Sequence, residues 1–140
     1  MTRSPCLSGP PLTARQMSGA ALCGLVLWLA AALLLRVIGP MGVYDGAARV
    51  ALYLAIIPGT VPVLWLMRRL ARLQAGQMVP AMAMGTGTAT IMDGIALAWF
   101  PDLYGAGVAL HAGAGGTILW GGGIGLLLAF WCDRARGGPA

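Results

Sequence analysis

Few side chains of this sequence could do chemistry, and the most conspicuous ones lie in apolar stretches of its second half. Asp93 is the only acidic residue inside an apolar run, and His111 is the only histidine in the chain. A carboxylate and an imidazole can exchange a proton, or they can bond to each other and fix the register of two helices. Thr86 and Thr90 precede Asp93 by seven and three residues, which places all three on one face of a helix. We predict that these four residues form a polar seam inside the membrane.

The position of the intervening turn predicts that Asp93 and His111 face each other. Asp93 lies nine residues before Asp102, and His111 lies nine residues after it. Antiparallel helices joined by a tight turn at residues 101–105 would carry the two side chains at the same depth. Such a pair could couple transport to a proton or could only fix helix register, and the sequence leaves both interpretations open.

No constellation of catalytic or metal-binding residues accompanies this seam. Cys6, Cys23 and Cys132 form no CxxC pair, and we expect no disulfide because all three would lie towards the reducing side of the membrane. A haem or chlorin held by His111 stays open as an alternative, although the sequence offers no second axial ligand. We predict that the protein is not an enzyme and has neither a cofactor nor a metal site.

The composition indicates a membrane protein. The 140 residues are 59% hydrophobic and 9% charged, whereas soluble domains carry about 25% charged residues. The net charge of +5 comes from nine arginines without any lysine. Most of them lie between or beside apolar runs, a placement that orients membrane segments and does not follow a nucleic-acid backbone. We predict that the lipid bilayer is the partner of this chain and that it binds no nucleic acid.

Four apolar runs predict an all-α protein, a bundle of four transmembrane helices at residues 17–39, 50–67, 78–100 and 106–132. The first run exceeds the 7–15 apolar residues of a signal peptide, so we expect a retained helix. Pro58 and Pro62 predict a kink in the second helix. Residues 1–16 are rich in proline and small polar residues and predict a disordered cytoplasmic tail, and residues 133–140 predict a short C-terminal one.

The arginines orient this bundle. Four spans place seven arginines on the side that holds both termini and two on the other side. By the positive-inside rule, both termini then lie in the cytoplasm. We therefore predict a multi-pass protein of the bacterial inner membrane. The densest group, which follows the second run directly, is Arg68, Arg69 and Arg72. Aromatic residues at both predicted borders support these limits: Trp65, Phe130 and Trp131 on the inner side, and Trp99, Phe100 and Tyr104 on the outer side.

Glycines predict close helix contacts. Gly121-x-x-x-Gly125 in the last run has the spacing that lets two helix backbones touch, and Gly85-x-x-x-Ala89 in the third run is a natural counterpart. This face could pack inside one bundle or could form a homodimer, and both interpretations stay open.

Parts of residues 58–129 are similar to a known family. They are LWLMRRLARL, then TATIMDGIALAWFPDLYG, then TILWGGGIGLLLAF, and the most specific part runs from Asp93-Gly94 to Trp99-Phe100-Pro101. The chain resembles a family of small bacterial four-helix integral membrane proteins of unknown function. This resemblance implies four helices and no particular activity, substrate or catalytic residue.

Two functional hypotheses follow. The first is a non-enzymatic accessory or assembly component that contacts other membrane proteins, favoured by the short loops and the absence of a catalytic constellation. The second is a small dimeric proton-coupled transporter that uses Asp93 as its coupling carboxylate.

Overall fold

The computed structural model describes residues 10–136, which form four long helices joined by short loops. The helices are α1 (Ala14–Ile38), α2 (Gly46–Ala71), α3 (Met78–Trp99) and α4 (Val108–Arg136). Single 3₁₀ turns follow α1 at Gly39–Met41 and separate α3 from α4 at Pro101–Tyr104. No strand occurs in residues 10–136. The predicted all-α class is confirmed.

Three of the four helices extend beyond the predicted apolar runs at one end or both, because polar residues cap or continue them, whereas α3 lies within its predicted run. α1 begins at Ala14 because Thr13 and Gln16 form a capping box: each side chain accepts a hydrogen bond from the other residue's backbone N–H. α4 continues to Arg136, past the last apolar residue. Residues 14–16 and 133–136, predicted as parts of the tails, are therefore helical. Residues 10–13 of the predicted N-terminal tail are non-helical, and the Gln77 amide donates to the carbonyls of Pro10 and Pro11. The rest of the predicted tails, 1–9 and 137–140, lies outside the described residues.

α2 runs without a break across its two prolines. Neither Pro58 nor Pro62 can donate to the carbonyl four residues earlier, which leaves the carbonyls of Leu54 and Pro58 without these partners. Nearby, the Thr60 hydroxyl donates to a different carbonyl, that of Ile56, at 2.7 Å. That hydroxyl therefore reinforces the turn between the prolines and does not replace either missing bond.

The four helices pack in the order α1–α3–α4–α2 around the bundle. Consecutive helices are antiparallel, so α3 lies between α1 and α4, while α2 packs against α4 and α1. The two ends of the described chain meet at one end of the bundle, where the Asp133 carboxylate near the end of α4 accepts from the backbone N–H of Met78 and Val79 at 3.2 and 2.9 Å. These bonds cap the N-terminus of α3 with a negative charge, which the helix dipole favours.

Small residues bring α1 and α3 into backbone contact. A Cβ on Gly24 would lie 2.2 Å from the Gly85 carbonyl oxygen, and a Cβ on Gly85 would lie 3.1 Å from the Ala20 carbonyl oxygen. Ala20 and Ala81, one turn earlier on each helix, are fully buried. Both helices thus use a small-x-x-x-small pair at their crossing.

Three helices are long and apolar enough to cross a membrane: α1 with its following turn (Ala14–Met41), α2 and α4. Their outward faces carry large exposed apolar side chains, among them Leu22, Val37, Leu54 and Leu119. A multi-pass membrane protein accounts for this surface, because water would not tolerate it. α3 has 22 residues, a sufficient length, but it also holds Asp93 and several threonines and glycines, which lower its hydropathy.

Candidate functional site

A cavity of about 320 Å³ lies between the helices, and all four of them contribute to its wall. Most of the wall is aliphatic or glycine, and Asp93 is its only charged residue. Four threonines add hydroxyl groups along the wall: Thr60, Thr86, Thr90 and Thr117. The arrangement is a half-open apolar cavity with a single carboxylate in its wall.

Two donors hold one oxygen of the Asp93 carboxylate. The Trp28 indole Nε1 of α1 donates to Asp93 Oδ1 at 2.9 Å, and the Tyr104 hydroxyl donates to the same oxygen. The indole nitrogen also lies 3.2 Å from the Tyr104 oxygen. The three side chains thereby join α1, α3 and the 3₁₀ turn at one point.

The second oxygen of Asp93 has no hydrogen-bond partner among the described residues. Oδ2 makes no hydrogen bond to any of residues 10–136, although the Asp93 residue is only 6% exposed. Within this part of the chain, the Tyr44 hydroxyl is the one side-chain polar atom that is both sealed and without a partner. Oδ2 is not such a fully buried atom and so keeps some accessible surface, and Asp93 lines the cavity.

Tyr104 does not lie in an aromatic belt at the membrane border, which corrects the prediction made for it. Its side chain is fully buried, because the Pro101–Tyr104 turn folds it back into the bundle. Burial raises the pKa of the Tyr104 hydroxyl above its ordinary value, and the hydrogen bond to Asp93 raises this pKa further. The hydroxyl thus remains a donor to the carboxylate. Trp65, Trp99, Phe100 and Trp131 are exposed.

The structure does not bring Asp93 and His111 together. The His111 Nε2 donates to the Gly105 carbonyl at 2.8 Å, within its own hairpin, and His111 does not line the cavity. The expectation of equal depth assumed a symmetric turn. The 3₁₀ turn and the left-handed Gly105 and Gly107, with φ of 107° and 111°, break that symmetry and place Tyr104 next to Asp93 instead.

Thr86 and Thr90 do share a surface with Asp93, because all three line the cavity. Three of the four residues predicted for the polar seam therefore belong to one site, and His111 lies apart from it.

The packing glycines lie inside the bundle, though not in the predicted pairing. A Cβ on Gly121 would meet Ile56 of α2 at 3.8 Å, and one on Gly125 would meet the Met82 side chain of α3 at 2.9 Å. Gly85 lies against α1 and not against Gly121 or Gly125.

The topology arginines cluster where α2 ends, at the end of the bundle that holds both ends of the described chain. Arg68 and Arg69 occupy the last turn of α2, where a positive charge suits the helix dipole. The Arg69 guanidinium carbon lies 4.9 Å from the centre of the Trp65 ring, a cation–π distance. Arg72 caps the helix in a left-handed conformation with φ of 50°.

Sequence reasoning missed Trp28 and Tyr104 as the partners of Asp93. A signal was present, because a buried indole N–H in an apolar run needs an acceptor and Asp93 is the only acidic residue within the apolar runs. It also missed Gln77, a residue only 2% exposed whose amide bridges the start of α1 and the loop before α3. The Thr13-x-x-Gln16 pattern, typical of a capping box, was the sequence signal at that end.

Other kinds of site are not assembled in the described part of the chain. Among residues 10–136, no three His, Cys, Asp or Glu side chains cluster as a metal site requires. Cys23 and Cys132 are free thiols, and Cys6 lies outside the described residues. Comparison of the sequence and the fold with protein-family models, curated proteins and solved structures finds no match. The resemblance to small bacterial four-helix proteins stays a prediction.

Proposed function

We propose that this chain is a four-span protein of the bacterial inner membrane, with both termini in the cytoplasm, that binds a small molecule between its helices without enzymatic chemistry. The observation that supports this proposal is the cavity of about 320 Å³ with Asp93 in its wall. Sites for small molecules have volumes of about 300–1,000 Å³ and are mostly apolar with a few polar groups.

The chemistry of the wall favours a lipophilic cation as the ligand. A carboxylate among apolar side chains is costly when charged, and either a proton or a bound cation removes that cost. Trp28 and Tyr104 occupy Oδ1, which leaves Oδ2 for the ligand. The Trp28 indole, which also lines the cavity, adds an aromatic ring to which cations are attracted. Competition between a proton and a cation for one carboxylate is the basis of proton-coupled exchange, so we propose transport of this class.

An accessory or assembly role is the alternative. Its support is the broad apolar outer surface of α1, α2 and α4, but lipid would cover that surface equally well. It also assigns no occupant to the cavity. The transport proposal is made for a single chain, because all four helices of one chain contribute residues to the cavity.

Binding and proton release together test this proposal. We expect tetraphenylphosphonium to bind the detergent-purified protein and to release about one proton per cation, measured by calorimetry in two buffers of different ionisation enthalpy. Asp93→Asn should weaken binding about tenfold or more, since a charge-assisted contact is lost, and should abolish proton release. Asp102→Asn is the matched control, because Asp102 is exposed in the turn outside the cavity.

Two results would overturn the transport proposal. One is the absence of saturable binding by the wild-type protein. The other is an Asp93→Asn variant that keeps its helical circular dichroism and binds the cation as the wild type does. Either result together with a co-purifying membrane protein would favour the accessory role.

A further inference from the structure

We propose that a second pocket, at the end of the bundle that carries both termini, binds the headgroup of an anionic phospholipid. This pocket has a volume of about 460 Å³ and lies between the start of α1 and the loop that joins α2 to α3. It is separate from the central cavity and does not depend on the function proposed for it.

The pocket has unbalanced positive charge. Arg15 and Arg72 line it, and no acidic residue does. Asp133 is the one acidic residue at this end of the described chain, and its carboxylate is engaged by the backbone N–H groups of Met78 and Val79. An anion in the pocket would therefore meet two guanidinium groups without competition from the lining.

Both arginines occupy positions that the local backbone disfavours. Arg72 has φ of 50° and ψ of 49°, a left-handed conformation that costs residues other than glycine about 1–2 kcal/mol. Glycine is the residue suited to such a helix end. Arg15 lies in the first turn of α1, where the helix dipole opposes a positive charge. The attraction of both guanidinium groups to a bound anion would offset the backbone strain at Arg72 and the unfavourable helix-dipole interaction at Arg15.

The walls of the pocket are held in place before any ligand arrives. The Gln77 Oε1 accepts from the Gln16 side-chain amide and from the Gln74 backbone N–H, both at 2.9 Å. The Gln77 Nε2 donates to the carbonyls of Pro10 and Pro11, both at 3.2 Å. The Gln16 amide also donates to the Arg72 carbonyl at 3.2 Å, which fixes the left-handed residue. Preorganised walls reduce the entropy cost of binding.

A phospholipid fits this pocket better than free phosphate does. The exposed Leu70 belongs to the same wall as the arginines and is 64% exposed. Guanidinium groups match the oxygens of a phosphodiester, and the apolar side of the wall matches the start of an acyl chain. Basic pockets at the ends of membrane helices commonly hold anionic lipid headgroups.

Thermal unfolding in detergent tests the pocket with three probes: phosphatidylglycerol, phosphatidylcholine and inorganic phosphate. We expect phosphatidylglycerol to raise the Tm of the wild-type protein by a few degrees and the other two to leave it unchanged, because only a ligand that binds the folded state stabilises it. Arg72→Gly should keep or raise the Tm without lipid, since it relieves the left-handed strain, and should lose the lipid-induced shift. Arg69→Gln is the control, because Arg69 stacks on Trp65 outside the pocket.

A full lipid shift in Arg72→Gly would overturn the proposal. Equal shifts with phosphatidylglycerol and inorganic phosphate would also overturn it, by assigning the pocket to free phosphate. Arg15→Gln is the second variant: loss of the shift there supports the site, and an unchanged shift contradicts it. Because none of these residues lines the central cavity, cation binding should survive in every variant.

Discussion

One oxygen of Asp93 joins parts of the chain that are distant in the sequence. Trp28 lies 65 residues before Asp93, and Tyr104 lies 11 residues after it, yet both donate to Oδ1. Inserting a carboxylate at mid-membrane costs about 2.5–3.5 kcal/mol, and less towards an interface. The two donors lower this cost for the charged form while leaving the second oxygen accessible. The same contacts thus stabilise the bundle and shape the proposed ligand site.

Replacing Tyr104 by phenylalanine tests the structural share of this contact. We expect Tyr104→Phe to lower the free energy of unfolding by about 1 kcal/mol, the size of an interhelical hydrogen bond in a membrane protein. The measurement is thermal unfolding of the purified protein in detergent. Tyr53→Phe is the control, because the Tyr53 hydroxyl makes no hydrogen bond to the described residues and its ring packs on Trp120. Equal stability of the two variants would contradict the role given to Tyr104.

The sequence predicted Asp93, the carboxylate in the cavity wall, as a site residue, but it did not predict the hydrogen-bond donors of that carboxylate. Asp93 stood out because it is the only acidic residue in the apolar runs. The prediction that His111 is its partner rests on equal residue counts on either side of a turn centred at Asp102. That count could not include the 3₁₀ turn, from which the buried Tyr104 hydroxyl donates to Asp93. Trp28 could not be predicted as a partner from the sequence, because tryptophan in an apolar run is as typical of a lipid-facing position as of a buried one.

At the scale of helices, the crossing of α1 and α3 leaves the least space for an added methyl group. The Gly24 Cα faces the Gly85 backbone, so the overlap of an added methyl group would be with main-chain atoms that cannot rotate away. Helix positions could be predicted from hydropathy, because each apolar run lies almost entirely within one helix, but the length of α2 could not, since it extends beyond its apolar run at both ends. The partner of each glycine could not, since a small-x-x-x-small pattern does not specify which neighbour it touches.

Adding one methyl group at this crossing should separate the helices. We expect Gly24→Ala to destabilise the protein by about 1–3 kcal/mol, as overpacking does in a core, with the Tm lowered in detergent. Gly87→Ala is the matched control on α3, because a Cβ there meets nothing within 4 Å. That change should be neutral or stabilising by about 0.5–1 kcal/mol, since alanine favours helix over glycine. Similar losses in both variants would contradict the close crossing.

For the whole molecule, the bundle shows how Asp93 can be accommodated in α3, the one long helix that is not among the three candidate membrane spans of the described chain. α1 covers one side of α3 and α4 covers another, and Asp93 lies on the covered side. The outward face of α3 carries exposed apolar residues such as Ile91 and Ile95. Hydropathy along the sequence measures the total polarity of a segment and cannot tell which side is covered. The sequence therefore predicted the four long helices of the described chain. It did not predict that only three of them are apolar enough to be candidate membrane spans.

Cysteine labelling tests whether α3 spans the membrane as the fourth helix. In a variant whose three native cysteines are serine, we expect Asp102→Cys to react with a membrane-impermeant maleimide in intact spheroplasts. Gln74→Cys should react only after permeabilisation, because α3 would separate the two loops by the thickness of the bilayer. Both positions are exposed, so accessibility reflects the side of the membrane and not burial. Ala135→Cys, near the end of α4, is the control and should behave as Gln74→Cys does. If Asp102→Cys and Gln74→Cys react from the same side, α3 does not cross, and Asp93 would then lie outside the hydrocarbon where its second oxygen needs no ligand.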